Sequence, residues 1–219
     1  MSKYLTHIVL CAFAALLAAG GTASAHPHVW VSMKAQLVYA PDGSVTGVRH
    51  AWTFDDMFSV FATQGIDTKT NGQFTREELK PMAQTNVESL KDFDYFTYAK
   101  SSGKKLEFGD PLADYYLDYD SKETVLTLHF TLPLKAPVKA KEFNVDIYDP
   151  SYFVDFTFAE KDPVALVGAP AACKLTVGRP QEMDAELAGR LGQMPADSQL
   201  DPSSYLGSQF ASKILVKCP

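Results

Sequence analysis

Period-two alternation of apolar and polar residues, returning run after run, is the feature that most constrains this chain. From His28 to Tyr39 the stretch HVWVSMKAQLVY alternates, and the turn APDGS separates it from a second alternating run, VTGVRHAWTF. Successive side chains of an extended strand face opposite ways, so two such runs around a Gly-containing turn predict a hairpin with one buried face. Runs of the same kind return beyond Asp92 as FDYFTYA and KKLEF around KSSG, ADYYLDY and TVLTLHFTL around DSKE, then EFNVDIY, YFVDFTF, PVALVG and CKLTV. Strands of this length between turn signals predict a mainly β (α+β) fold, an antiparallel β-sandwich-like domain.

The alternation breaks between residues 55 and 92. In DDMFSVFATQG, Met57, Phe58, Val60 and Phe61 fall at helical spacing behind the potential caps Asp55 and Asp56. TREELKPMAQTNVESLKDF predicts a second helix with Thr75 and Glu78 in capping-box relation and Pro81 near its first turn or at a kink. Between them, DTKTNGQFTREE matches a twelve-residue EF-hand loop at Asp67, Asn71, Gly72 and Glu78, with the Gln73 carbonyl at position seven. The segment thus reads as an inserted EF-hand-like helix-loop-helix. Lys69 stands at position three, where its ammonium removes an oxygen ligand and repels a cation, so calcium binding is expected to be weak or absent.

The first 25 residues carry Lys3, an apolar run IVLCAFAALLAAGG and a small-residue ASA, the three regions of a secretory signal peptide. The run is short for a membrane span, which needs ~20 residues, and no later segment is apolar enough. Cleavage after Ala25 leaves residues 26–219 as a single exported domain with no direct membrane anchor. The net charge of −6 becomes more negative when a leader with one Lys and no acid is removed, which argues against nucleic acid as partner. Of the three cysteines, Cys11 leaves with the leader; Cys173 and Cys218 are expected to pair in an oxidising compartment, the periplasm, tying the C-terminal segment 173–219 to the body. The stretch from Pro180 to Ser204 reads as partly helical and otherwise as a surface linker.

Cleavage would place His26, Pro27 and His28 at the mature terminus. A free α-amine with a pKa near ~8 can ligate metal close to neutral pH beside its own imidazole, and His28, two residues on, adds another nitrogen on the same side of an extended chain. Such donors suit Ni, Co, Cu or Zn rather than Ca or Mg. Pro27 has no N–H to lose, so a square-planar chelate through successive backbone amides is excluded. The other mature histidines, His50 and His129, also fall on predicted strands and are further candidate ligands, each with the plainer reading of a hydrogen-bonded strand residue; Asp55, Asp146 and Asp155 are candidate carboxylate ligands. GxSxG, HExxH, CxxC, P-loop and dinucleotide motifs are absent, so no catalytic residue is assigned.

Taken together, HPHVWV, VRHAWTFDDMFS, DTKTNGQFTREEL, NVESL, LHFTLPL, YDPSYFVDF, GAPAAC and KILVKC resemble the exported family catalogued as domain of unknown function 1007. The resemblance spans the mature chain. It implies a periplasmic component associated with nickel/cobalt-type transporters, His26 and His28 as metal ligands, and Asp67, Asn71 and Glu78 in an EF-hand-like loop. The expectation is therefore a periplasmic transition-metal-binding accessory protein for an inner-membrane metal transporter. Two alternatives stand beside it: a copper-dependent redox enzyme with an N-terminal histidine brace, and a non-catalytic envelope interaction module.

Overall fold

A computed structural model describes residues 27–180, 183–192 and 206–219. The signal-peptide reading and His26 lie outside those residues. The chain divides into two compact units, Pro27–Glu182 with Gln199–Pro219, and Met1–His26 with Met183–Ser198. In the second unit the helix Ala185–Gly192 starts where the Asp184 carboxylate accepts from Leu187 N at 2.8 Å, the usual way a short acidic side chain satisfies an open helix start.

Strands β1 (Val29–Tyr39) and β2 (Val45–Phe54) form the expected hairpin. The Asp42 carboxylate accepts from both the Ser44 amide and hydroxyl in its turn, and Gly43 supplies the left-handed φ of 82° that the turn requires. Alternation along β1 buries Val29, Val31, Met33, Ala35 and Leu37 and leaves the intervening positions outside.

The remaining strands are β3 (Thr97–Ser101), β4 (Lys104–Leu106), β5 (Tyr116–Asp120), β6 (Val125–Val138), β7 (Glu142–Ile147), β8 (Val154–Phe158), β9 (Val164–Val167), β10 (Lys174–Gly178) and β11 (Ser212–Lys217). One sheet runs β5-β6-β2-β1-β8, with β9 further along the same edge of β1; the other runs β10-β11-β7-β3-β4. Both contribute their buried faces to one apolar core, where Trp52 of the first sheet, Phe156 of β8 and Phe96 ahead of β3 meet ring to ring. The fold is mainly β, as expected, but not purely antiparallel: β8 and β9 both pair with β1 in parallel. β1 has its hairpin partner on one side, so its other edge is left for strands arriving from more than 100 residues away.

Two helices interrupt the strands where the pattern breaks. Helix α1 (Asp56–Ala62) starts at Asp55, whose carboxylate accepts from Phe58 N. Helix α2 (Arg76–Leu90) starts with the expected capping box between Thr75 and Glu78 and keeps Pro81 inside it. The 3-10 segment Lys91–Phe96 then occupies ground that alternation assigned to a strand. Asp94, Tyr95 and Phe96 are all left-handed, with φ of 51°, 52° and 49°; packing of Phe96 in the core and a hydrogen bond from Tyr148 N to Phe96 O override the local pattern.

Cys173 and Cys218 are disulfide-bonded, as suits an oxidising compartment. They flank β10 and β11, and β11 lies between β10 and β7. Ser212–Lys217 is thus an internal strand of that sheet, and the disulfide ties it to the start of β10. Among the described residues no helix is long and apolar enough to cross a membrane. Just before β11, Gly207 lies against the turn after β7, where a Cβ would stand 1.9 Å from the Asp149 carbonyl oxygen. Backbone cannot yield as a flexible side chain does, so Gly207→Ala is expected to lower stability by about 1–3 kcal/mol in a denaturant titration. An unchanged midpoint would show that the close approach is absent in solution.

Candidate functional site

His28 enters β1 on a braced loop. Its amide donates to the Phe153 carbonyl at 2.9 Å and its ring lies 4.6 Å from the Phe153 ring. Phe153 is fixed in turn by Asp149. One oxygen of that buried carboxylate accepts from the Ser151 amide and hydroxyl, the other from the amides of Phe153 and Val154. Four donors on one carboxylate explain why the sequence YDPSYFVDF makes a loop before its strand begins. Chain immediately before His28 therefore leaves from a fixed point.

The structure does not bring His50 and His129 to that point. His50 pairs with Phe130 and the next residue, Ala51, with His129, so the pleat turns the two imidazoles to opposite faces of the sheet. His50 also pairs with Ala35 of β1, seven residues from His28, which at strand rise is roughly 20 Å away. His50 is 1% exposed, stacked on Phe130 and edge-on to Trp52. Its Nε2 lies 3.4 Å from the Thr97 hydroxyl, which donates to the Tyr95 carbonyl, so Nε2 carries the proton in this contact. Burial pushes its pKa down to about 3, leaving it neutral.

His129 faces outward in a polar cluster. Arg76 grips Asp118 through two hydrogen bonds of 2.6 and 2.9 Å, and the His129 Nε2 lies 3.4 Å from the same carboxylate. Tyr116 stacks on His129 at 4.5 Å, and the Arg76 guanidinium lies over the Tyr116 ring. Partial burial lowers the His129 pKa, helped by Arg76 and opposed by Asp118. Both histidines thus have structural work elsewhere, and among the described residues no group of three or more His, Cys, Asp or Glu is placed to hold a metal ion. Of the carboxylates considered as ligands, Asp55 caps α1 and accepts from Trp30 N. Asp146 lies within β7, and Asp155 in β8 has its pKa raised by burial.

In the loop between α1 and α2 the Glu78 carboxylate accepts from the amides of Lys69 and Thr75 and from the Thr75 hydroxyl. Those bonds, led by the Thr75 amide, lower its pKa. The Gln73 carbonyl accepts from the Thr68 hydroxyl. Both Glu78 oxygens and the Gln73 carbonyl, all assigned to calcium, therefore already accept hydrogen bonds from within the loop; Gly72 takes the left-handed φ of 74° that the turn needs, and no ligation by Asp67 or Asn71 follows from the geometry.

A further feature escaped the sequence reading. A cavity of about 580 Å³ opens between β1, β2, the 3-10 segment and the Asp149 loop, within the range of small-molecule sites. Trp52, Phe54, Phe58, Phe96 and Phe156 line its apolar wall, and Phe93 and Phe153 stand exposed at its edge. The Trp52 indole N–H is buried without a hydrogen-bond partner, a cost of about 1–3 kcal/mol to the folded chain. The sequence signal is the aromatic density of AWTFDDMF and DFDYF, which alone does not separate core from cavity.

The profile described as "Protein of unknown function (DUF1007)" matches residues 11–218. An uncharacterized protein of Haemophilus influenzae is 24% identical over 199 residues, covering 89% of this chain and 91% of that protein. An uncharacterized 15.5 kDa protein from the trpE 3' region of Spirochaeta aurantia is 33% identical over 101 residues, covering 46% of this chain and 70% of that protein.

Proposed function

The chain belongs to the DUF1007 family of proteins of unknown function, and from that premise we propose that it is an exported accessory protein binding a divalent transition metal through His26–Pro27–His28. In this reading it serves an inner-membrane metal transporter from the periplasm, and no bond-making chemistry is asked of it. The observation that carries the reading is the clamp on His28, whose amide and ring are both held by Phe153. A ligand fixed before metal arrives loses less freedom on binding than one on a frayed terminus.

Two imidazoles and an α-amine fit Ni, Co, Cu or Zn by donor type. His28 supplies one nitrogen at a fixed position; His26 would supply its imidazole and, once the leader is cleaved, its amine. His50 and His129 take no part. The hydrogen-bonded loop containing Asp67, Asn71, Gln73 and Glu78 is assigned a connecting role, with calcium not required for it.

The test compares chain beginning at His26 with chain carrying one additional N-terminal residue, titrated with each of the four metals. Extension is expected to weaken binding by about tenfold or more, or ~1.4 kcal/mol, because the amine becomes an amide. Tight binding by both forms would place the site on side chains alone, and tight binding by neither would remove the metal reading.

A further inference from the structure

The cavity beside the 3-10 segment carries a second binding role, independent of the metal reading. We propose that it is a site for a small apolar or aromatic molecule that bears no negative charge.

Two observations point the same way. The wall is aromatic and the volume of the open cavity, about 580 Å³, is that of a small-molecule site. The rim is built from a strained segment, with three consecutive left-handed residues at Asp94, Tyr95 and Phe96, a costly conformation that packing maintains beside the opening.

Charge sets the ligand class. Asp92 and Asp94 stand exposed at the rim, and the lining contains no Lys, Arg or His. Asp149, also in the lining, accepts four hydrogen bonds from its own loop. An anion entering here would lose water and meet carboxylates with no cation to receive it. An uncharged ketone, amide or ether on an aromatic or aliphatic body meets none of these costs.

The experiment uses the full mature chain without metal and two fluorescent probes: the uncharged ketone 6-propionyl-2-dimethylaminonaphthalene and the anion 1-anilinonaphthalene-8-sulfonate. The ketone is expected to bind saturably, one per chain, with blue-shifted emission, and the sulfonate about tenfold more weakly or worse. Ser89, an exposed residue of α2 at the opening, allows a plug that leaves the core alone. Ser89→Trp is expected to weaken ketone binding by about tenfold, and Phe93→Asp to weaken it also, each with thermal melting unchanged. Absence of saturable ketone binding overturns the site. Equal binding of the sulfonate overturns the ligand class. Retention of binding in both variants, with native melting, overturns the location, and a variant with altered melting is replaced in the argument by the other. Because neither variant alters His26, His28 or Phe153, failure here leaves the metal titration to stand or fall by itself.

Discussion

Replacing both Cys173 and Cys218 with alanine is expected to cost about 4 kcal/mol of stability, since the bridge spans a sequence separation of 45 and the chain-entropy model scales with the logarithm of loop length. For a domain of this size that is a fall in melting temperature of roughly 10 °C. The strand pairing beside the bridge is itself unfavourable. Lys174 and Lys217 are paired opposite each other beside the bridge, and like charges in that relation repel. Lys217 has Glu142 at 3.5 Å on its other side, an exposed pair that offsets little. Thermal melting of the double variant, and of the unmodified chain under reductant, checks the expectation. Equal melting in all three would mean that β10 and β11 hold their register without the covalent tie.

Acidification from about pH 7.5 to about pH 5 is expected to destabilise the chain through His50. In the fold its pKa is depressed to about 3 by burial, with the ring between Trp52 and Phe130; in the unfolded chain an ordinary imidazole titrates near ~6.5. The unfolded state therefore takes up a proton first, and stability present above the unfolded value is lost progressively as pH falls toward the folded one. Over this interval the loss is about 2 kcal/mol. His50→Phe keeps an aromatic ring against Phe130 and removes the titration. Whatever its baseline effect, the difference between variant and wild type should shift by about 2 kcal/mol in the variant's favour on acidification. His129 also has a depressed pKa, but it is present in both proteins and cancels. Parallel pH profiles would show that His50 is not protected from water.

The strands with long alternating runs, β1, β2 and β6, are legible in the residues because one face of each is buried and the pleat repeats every second position. The starts of α1 and α2 are legible for a different reason: Asp55, Thr75 and Glu78 act on amides within four residues of themselves. What depends on distant partners is not. DFDYF has strand-like composition, yet its backbone turns left-handed where Phe96 enters the core. KILVKC is too short to announce a central strand, and nothing local says that β8 and β9 join β1 in parallel. The candidate site divides the same way. The chemistry proposed for His26 and His28 is legible because the two are near neighbours in the chain, whereas the separation of His50 from His129 follows from which face each takes across the β2–β6 register. The cavity is assembled from segments scattered between Val29 and Phe156, a convergence that no single run of residues reveals.

The placement of β11 sets an order of events in time. Its residues, Ser212–Lys217, bridge β10 and β7, so the second sheet has no continuous ladder until the final segment has been made and has travelled back to its slot. β1 likewise waits for β8 and β9 before its outer edge is covered. Early hairpins can nucleate, but the rate at which the finished molecule appears is governed by closure of the longest loops in the chain. Until Ser212–Lys217 arrives, the facing edges of β7 and β10 stay unpaired and open to any other strand that meets them.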